Sequence, residues 1–159
     1  MKKTDGKFTA ICHEVAKDYP GITVDDWYID IMTANLVNEA IRDQFQVVLL
    51  PNLYGDIITD EAAQIQGGVG TAGSANMGDR CAMFEAIHGS APRMIAEGLG
   101  QYANPASILK AEAMLLRHIC RPDAAQRLER ALETNPPTVT GDPSGATCED
   151  YTRKLLETL

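Results

Sequence analysis

The sequence predicts a helix-rich α/β protein, and three observations predict it. Apolar residues recur three and four positions apart through most of the chain, as in Phe8, Ile11, Cys12 and Val15, the spacing of one helix face. One short aliphatic run, Phe45-Gln46-Val47-Val48-Leu49-Leu50, has the length and β-branched content of a strand and stops at Pro51. Glycine and proline clusters punctuate the remainder.

In chain order, a first helix is expected over 4–18, ending near Pro20-Gly21. A second is expected over 30–41, with Ile31, Ala34, Leu36 and Val37 on its apolar side. The strand at 45–50 leads past the breaker Gly55 into a helix over 56–66, where Ile57, Ile58, Ala62 and Ile65 recur at helical spacing. Residues 67–80 contain Gly67, Gly68, Gly70, Gly73 and Gly78 and read as a loop-rich stretch or hinge. Helices over 108–117 and 123–133 are separated by Arg121-Pro122; 134–147 is turn-rich, and 149–159 forms a last helix. There is no internal repeat.

Composition bounds the function. At 159 residues and 45% apolar side chains, the chain is in the range of one ordinary domain and can bury about two-thirds of its unfolded surface. A net charge of −8 with a pI near 4.8 argues against a nucleic-acid partner, because no basic stripe exists to displace counterions from phosphates. No apolar run approaches the roughly 20 residues that span a bilayer, and no signal-peptide pattern opens the chain, so a cytoplasmic protein is expected. Cys12, Cys81, Cys120 and Cys148 show no C-x-x-C pairing and no zinc spacing with histidine, which leaves them as reduced thiols. His13 and His118 fall within amphipathic helical patterns, as surface or core-edge residues.

The chemistry concentrates in Pro51-Asn52-Leu53-Tyr54-Gly55-Asp56-Ile57-Ile58-Thr59-Asp60-Glu61. On a helix, Asp56 and Asp60 share one face. Like charges so placed cost roughly 0.2–0.5 kcal/mol unless a cation lies between them. Oxygen donors without histidine or cysteine nearby suit Mg²⁺ or Mn²⁺ rather than Zn²⁺, and Asp30 in Tyr28-Ile29-Asp30 is within folding reach. The competing reading makes Asp56 a helix cap. Gly67-Gly68-Val69-Gly70 is equally open between a helix stop and a ligand loop, and no G-x-G-x-x-G motif follows a strand.

The segment from Asn52 to Asp60, continuing to Gly67-Gly68-Val69-Gly70, closely resembles the signature of the isocitrate and isopropylmalate dehydrogenase family. Phe84-Glu85-Ala86-Ile87-His88-Gly89-Ser90-Ala91-Pro92, followed by Ala103-Asn104-Pro105, resembles that family's cofactor-adenine loop. Tyr28-Ile29-Asp30 with Asn35-Leu36-Val37 is similar to the segment preceding the signature. The three blocks stand in family order, and Phe84-Glu85-Ala86 leans toward isocitrate dehydrogenases. The resemblance implies a fragment of the family's non-Rossmann α/β fold, with 1–70 in the small, dimer-interface and metal-site domain and 71–159 in the C-terminal part of the large, cofactor-adenosine-binding domain. It implies that Asp56 and Asp60 bind Mg²⁺ or Mn²⁺, with Asp30 completing the set across a dimer interface. It also implies that His88, Gly89, Ser90, Ala91 and Asn104 hold the adenosine half of NAD or NADP.

The activity so implied is metal-dependent, NAD(P)-linked oxidative decarboxylation of isocitrate or a similar 2-hydroxy acid, as in the tricarboxylic acid cycle. In that chemistry the metal acts as Lewis acid and the nicotinamide carries the redox step. No catalytic residue is identified: the family's catalytic Lys and Tyr and its substrate-binding Ser and Arg cluster are expected upstream of residues 1–8. Lys2 and Lys3 align beyond the expected Lys and read as solvated terminal charges. Partners expected are the 2-hydroxy acid and either a second copy of the chain or a missing N-terminal segment, because unpaired edges invite association; the alternative is partial disorder beyond residue 70. For the cofactor, Arg93-Met94 stands where NAD users often show Asp-Ile and NADP users Lys-Tyr. A guanidinium suits a 2′-phosphate. Gly141 and Gly145, where NADP users carry further phosphate-binding side chains, and the long loop from Pro92 to Asn104 tip the balance to NAD. The alternative function is a non-catalytic oligomerisation or regulatory module that retains the aspartates.

Overall fold

A computed structural model of the chain describes residues 3–134 and 136–159, so Lys2 lies outside the described residues. The chain divides into two compact units, Met1–Ala62 and Ala63–Leu159. The division falls within a helix, ahead of the glycine-rich stretch. Among the described residues no helix is long and apolar enough to cross a membrane.

The first unit is helical. α1 spans Thr4–Ala16 and exposes Ile11 and Val15; its His13 ring lies 2.7 Å from the Asp26 carboxylate. α2 spans Ile29–Val37, and α3 spans Glu39–Arg42. The single helix expected over 30–41 is broken at Asn38, whose backbone is extended (φ −87°, ψ 106°) and whose side chain accepts from the Ala40 amide at 3.1 Å. Asparagine competes for backbone donors in this way and favours caps over helix interiors.

The strand expected over 45–50 is not formed. These residues pair with no other segment among the described residues, and Val47 is 86% exposed. β-propensity describes fit to a pleated, half-buried surface, so a run without a partner has nothing to realise it. Phe45 instead meets Trp27 edge to face, with ring centroids 5.6 Å apart. α4 then covers Asn52–Gln66. Gly55 does not break it: its amide donates to the Pro51 carbonyl at 2.8 Å, an ordinary helical bond.

The second unit is built on a hairpin that the sequence reading leaves as loop. After a 3-10 turn at Val69–Thr71, β1 (Gly73–Met77) pairs antiparallel with β2 (Ala82–Ala86). Gly73 lies opposite Ala86, Ala75 opposite Phe84, and Met77 opposite Ala82. β1 has no β-branched or aromatic residue, so propensity is silent about it. The hairpin packs on α6 (Ala106–His118) so closely that a Cβ on Gly73 would stand 2.5 Å from the Ala111 amide nitrogen. At its far end the His118 ring contacts Phe84 of β2, centroids 5.4 Å apart.

α5 (Pro92–Ala96) and a 3-10 turn at Gly100–Tyr102 order the segment before α6. α7 (Pro122–Glu133) and α8 (Cys148–Leu156) complete the unit. Ala106, Ala113, Leu128, Ala131, Leu132, Tyr151 and Leu155 form its core, supported by Leu109, Leu116 and Val139. α6 and α7 are also joined by a two-pronged Arg117–Glu129 pair at 2.9 and 2.5 Å. Hydrogen bonding and attraction from Glu129 raise the Arg117 pKa, and the Arg117 hydrogen bonds lower that of Glu129.

Candidate functional site

α4 carries both signature aspartates on its solvent side. Asp56 and Asp60 are exposed, one helical turn apart, while Ile58 between them is buried. Asp56 is the fifth residue of α4, and no acidic residue lies in its first turn, so the cap reading does not hold. The pair therefore presents acceptor-only oxygens to water with no neighbouring ion pair among the described residues. That chemistry fits a hard divalent cation.

Asp30 sits in the first turn of α2, exposed, with one carboxylate oxygen accepting from the Ile31 amide at 2.9 Å. Among the described residues no three His, Cys, Asp or Glu side chains gather as a metal set. A single copy thus offers two aspartates on one face and holds Asp30 on a separate helix.

The residues expected to hold adenosine, His88 to Ala91 and Asn104, are in the second unit. His88, Gly89, Ser90 and Ala91 form the exposed turn between β2 and α5. His88 Nδ1 lies 3.0 Å from the Gly89 carbonyl. Ala91 adopts the left-handed conformation (φ 47°, ψ 56°) ahead of Pro92, which opens α5. A Cβ on Gly89 would meet nothing within 4 Å, so the backbone here is open to a ligand. Asn104 accepts from the Ala106 amide at 2.9 Å and so fastens itself to the first turn of α6. Gly70 lies against Asn104, where a Cβ would come within 3.5 Å of the asparagine Cβ.

Ser107 joins these segments, and the sequence reading missed it. Its hydroxyl accepts from the Ile87 amide at 3.2 Å and donates to the Ala72 carbonyl. Only its place one residue into a helix after Asn104-Pro105 marked it, and a serine there looks like an ordinary helix start. Through it the turn at 87–91, the residues at 70–72 and Asn104 converge around the N-terminal turn of α6.

Two further placements bear on cofactor choice. The Arg93 guanidinium donates to Glu97 at 2.8 Å within α5. In the turn at 140–145, Ser144 through its side chain and amide, together with the Thr140 hydroxyl, holds the Asp142 carboxyl below the usual carboxylate range.

Known proteins carry the same pattern. The isocitrate/isopropylmalate dehydrogenase family matches residues 1–155. The chain is 47% identical to the isocitrate dehydrogenase [NADP] of Rickettsia prowazekii over 131 residues, 82% of this chain and 26% of that protein. It is 44% identical to the 3-isopropylmalate dehydrogenase of Archaeoglobus fulgidus over 133 residues, 84% of this chain and 39% of that one. The crystal structure of isocitrate dehydrogenase from Methylococcus capsulatus superposes with a TM-score of 0.85 at 37% identity, covering 99% of this chain and 47% of that chain. The chain thus spans less than half the length of each, and its relatives include proteins named for NADP and for NAD. With a match over nearly its whole length and the fold of a solved member, this chain belongs to the isocitrate/isopropylmalate dehydrogenase family.

Proposed function

We propose that this chain carries the metal and adenosine ends of a metal-dependent, NAD(P)-linked oxidative decarboxylation of isocitrate or a similar 2-hydroxy acid. The observation that carries the reading is the exposed Asp56 and Asp60 pair on α4, in a chain the family matches over 1–155. Asp56 and Asp60 would hold Mg²⁺ or Mn²⁺, with Asp30 of a second copy closing the set. Bound there, a divalent ion supplies Lewis-acid polarisation of the substrate's hydroxyl and adjacent carboxylate. His88, the backbone of Gly89, Ser90 and Ala91, and Asn104 orient the adenosine end, leaving the nicotinamide to carry the hydride chemistry. Pairing of Arg93 with Glu97 removes net positive charge from the point where a 2′-phosphate would be met, which supports NAD over NADP. This reading assigns no residue of the chain to substrate binding or proton transfer.

Calorimetric titration with Mn²⁺ tests the metal end. The chain is expected to bind Mn²⁺ saturably, and Asp56→Asn and Asp60→Asn each to lose binding by about tenfold or more, because each removes an anionic ligand. Unchanged binding in both variants would sink the assignment. Titration of the same chain with NAD⁺ and NADP⁺ tests the other end, with tighter binding of NAD⁺ expected.

A second reading, a non-catalytic oligomerisation module that keeps the aspartates, is favoured by the exposure of Leu53 (66%) and Ile57 (52%) on α4. Complementation separates the two. Isocitrate-dependent nucleotide reduction after adding the N-terminal half of a family member supports the enzyme, and its absence in a complex that forms supports the module.

A further inference from the structure

We propose that Ser107 is a positioning residue for nucleotide binding: its hydroxyl ties the Ile87 amide to the Ala72 carbonyl and so holds the turn at 87–91 in place beside Asn104. The inference rests on the adenosine reading of 88–91 and 104 given above.

Ser107 has no exposed surface, and it is the one buried polar side chain among the described residues. Its hydroxyl bridges segments 20 and 35 residues away in sequence, accepting from the Ile87 amide at 3.2 Å and donating to the Ala72 carbonyl. One hydroxyl supplies both roles at once. Removing it leaves the half-buried Ile87 amide and Ala72 carbonyl without this partner at the same time.

The Ala72 end of the bridge and the start of α6 that carries Ser107 are fixed independently of any ligand. The Ala72 carbonyl precedes Gly73, which leaves no room for a Cβ against the backbone of Ala111, so β1 has a fixed seat on α6. Asn104 is bound to the Ala106 amide at 2.9 Å, one residue before Ser107. The other hydrogen bonds of the 87–91 turn are local among the described residues: His88 to its neighbour Gly89, and the Ile95 amide to the Ala91 carbonyl within α5. The Ile87–Ser107 bond is therefore what sets the turn's distance from Asn104 once β2 has ended at Ala86. A binding turn placed in advance spares the ligand the entropy of ordering it.

The test titrates the full chain with NAD⁺ and with NADP⁺ by calorimetry, comparing wild type, Ser107→Ala, Ser107→Thr and the distant core variant Leu128→Ala, all at a temperature where circular dichroism shows them folded. Exchange of the Ile87 amide is followed by NMR. Ser107→Ala is expected to weaken the bound nucleotide by about tenfold and to speed Ile87 exchange, while Ser107→Thr, which keeps the hydroxyl, and Leu128→Ala stay within about threefold of wild type. Should Ser107→Ala not fold, Ser107→Cys, with a weak donor and acceptor of similar size, takes its place with the same expected direction. Wild-type affinity in the hydroxyl-free variant overturns the inference alone. Equal loss in Leu128→Ala also overturns it, since general loosening would then explain the effect. A folded wild-type chain that binds neither nucleotide overturns the adenosine reading itself.

Discussion

At the scale of single residues, the site and its support differ in how openly they declare themselves. That Asp56 and Asp60 share a face follows from spacing alone, because i and i+4 do so on any helix. The seat of Gly73 does not. Among the five glycines of 67–80, only Gly73 has backbone closer than 3 Å to where a Cβ would stand, 2.5 Å from the Ala111 nitrogen. Gly73→Ala is therefore expected to destabilise the chain by about 1–3 kcal/mol, the range for forcing atoms into a filled site, in urea unfolding followed by circular dichroism. A loss under about 0.5 kcal/mol, typical of open surface positions, would show that β1 can lift from α6. Ser107 hides for the same reason as Gly73: its partners at 72 and 87 are distant in sequence.

At the scale of elements, local signals served the helices well and the strands poorly. α8 begins at Thr147–Cys148, where the Thr147 hydroxyl accepts from the Asp150 amide while the Asp150 carboxylate reaches back to Thr147. The side chain and amide of Thr147 hold the Asp150 carboxyl below its usual value. The stability this contributes is fully present above the ordinary aspartate pKa of about 3.9 and is lost as pH falls through the lower folded value. Acid titration is thus expected to fray the start of α8 only below about pH 4, with the Asp150 resonance titrating below that of an unpaired aspartate. An Asp150 pKa at or above the ordinary value would remove this role. By contrast, the aliphatic 45–50 run pairs with no strand among the described residues, while Gly73–Met77, poor in strand formers, pairs in register with Ala82–Ala86. A ladder depends on a neighbour, and only geometry supplies one.

At the scale of the whole molecule, the two units are unequally provisioned. Met32 and Ile58 are the buried apolar residues of Met1–Ala62 among those described, whereas the second unit holds a continuous core of seven buried residues. Stability follows buried apolar area, so the first unit is expected to unfold at lower urea. Trp27, the only tryptophan, lies in the first unit against Phe45 and reports on it by fluorescence. Its transition is expected to precede the loss of helical ellipticity, and coincident transitions would mean that the units unfold as one. Leu53, Ile57 and Tyr28 of the first unit are exposed.

What the sequence determined by itself was whatever repeats or stands close together along the chain. That covers the helical faces of α1, α4, α6 and α7, the shared face of Asp56 and Asp60 and, through three ordered blocks, the family. What only the tertiary structure decided was each contact between distant segments: the hairpin, the seat of Gly73 on α6, the Ser107 bridge, and the unpaired state of 45–50. The physical reason is that helical hydrogen bonds close within four residues and leave their period in the sequence. Strand pairing and buried polar bridges join residues tens of positions apart, and no local pattern records which two will meet.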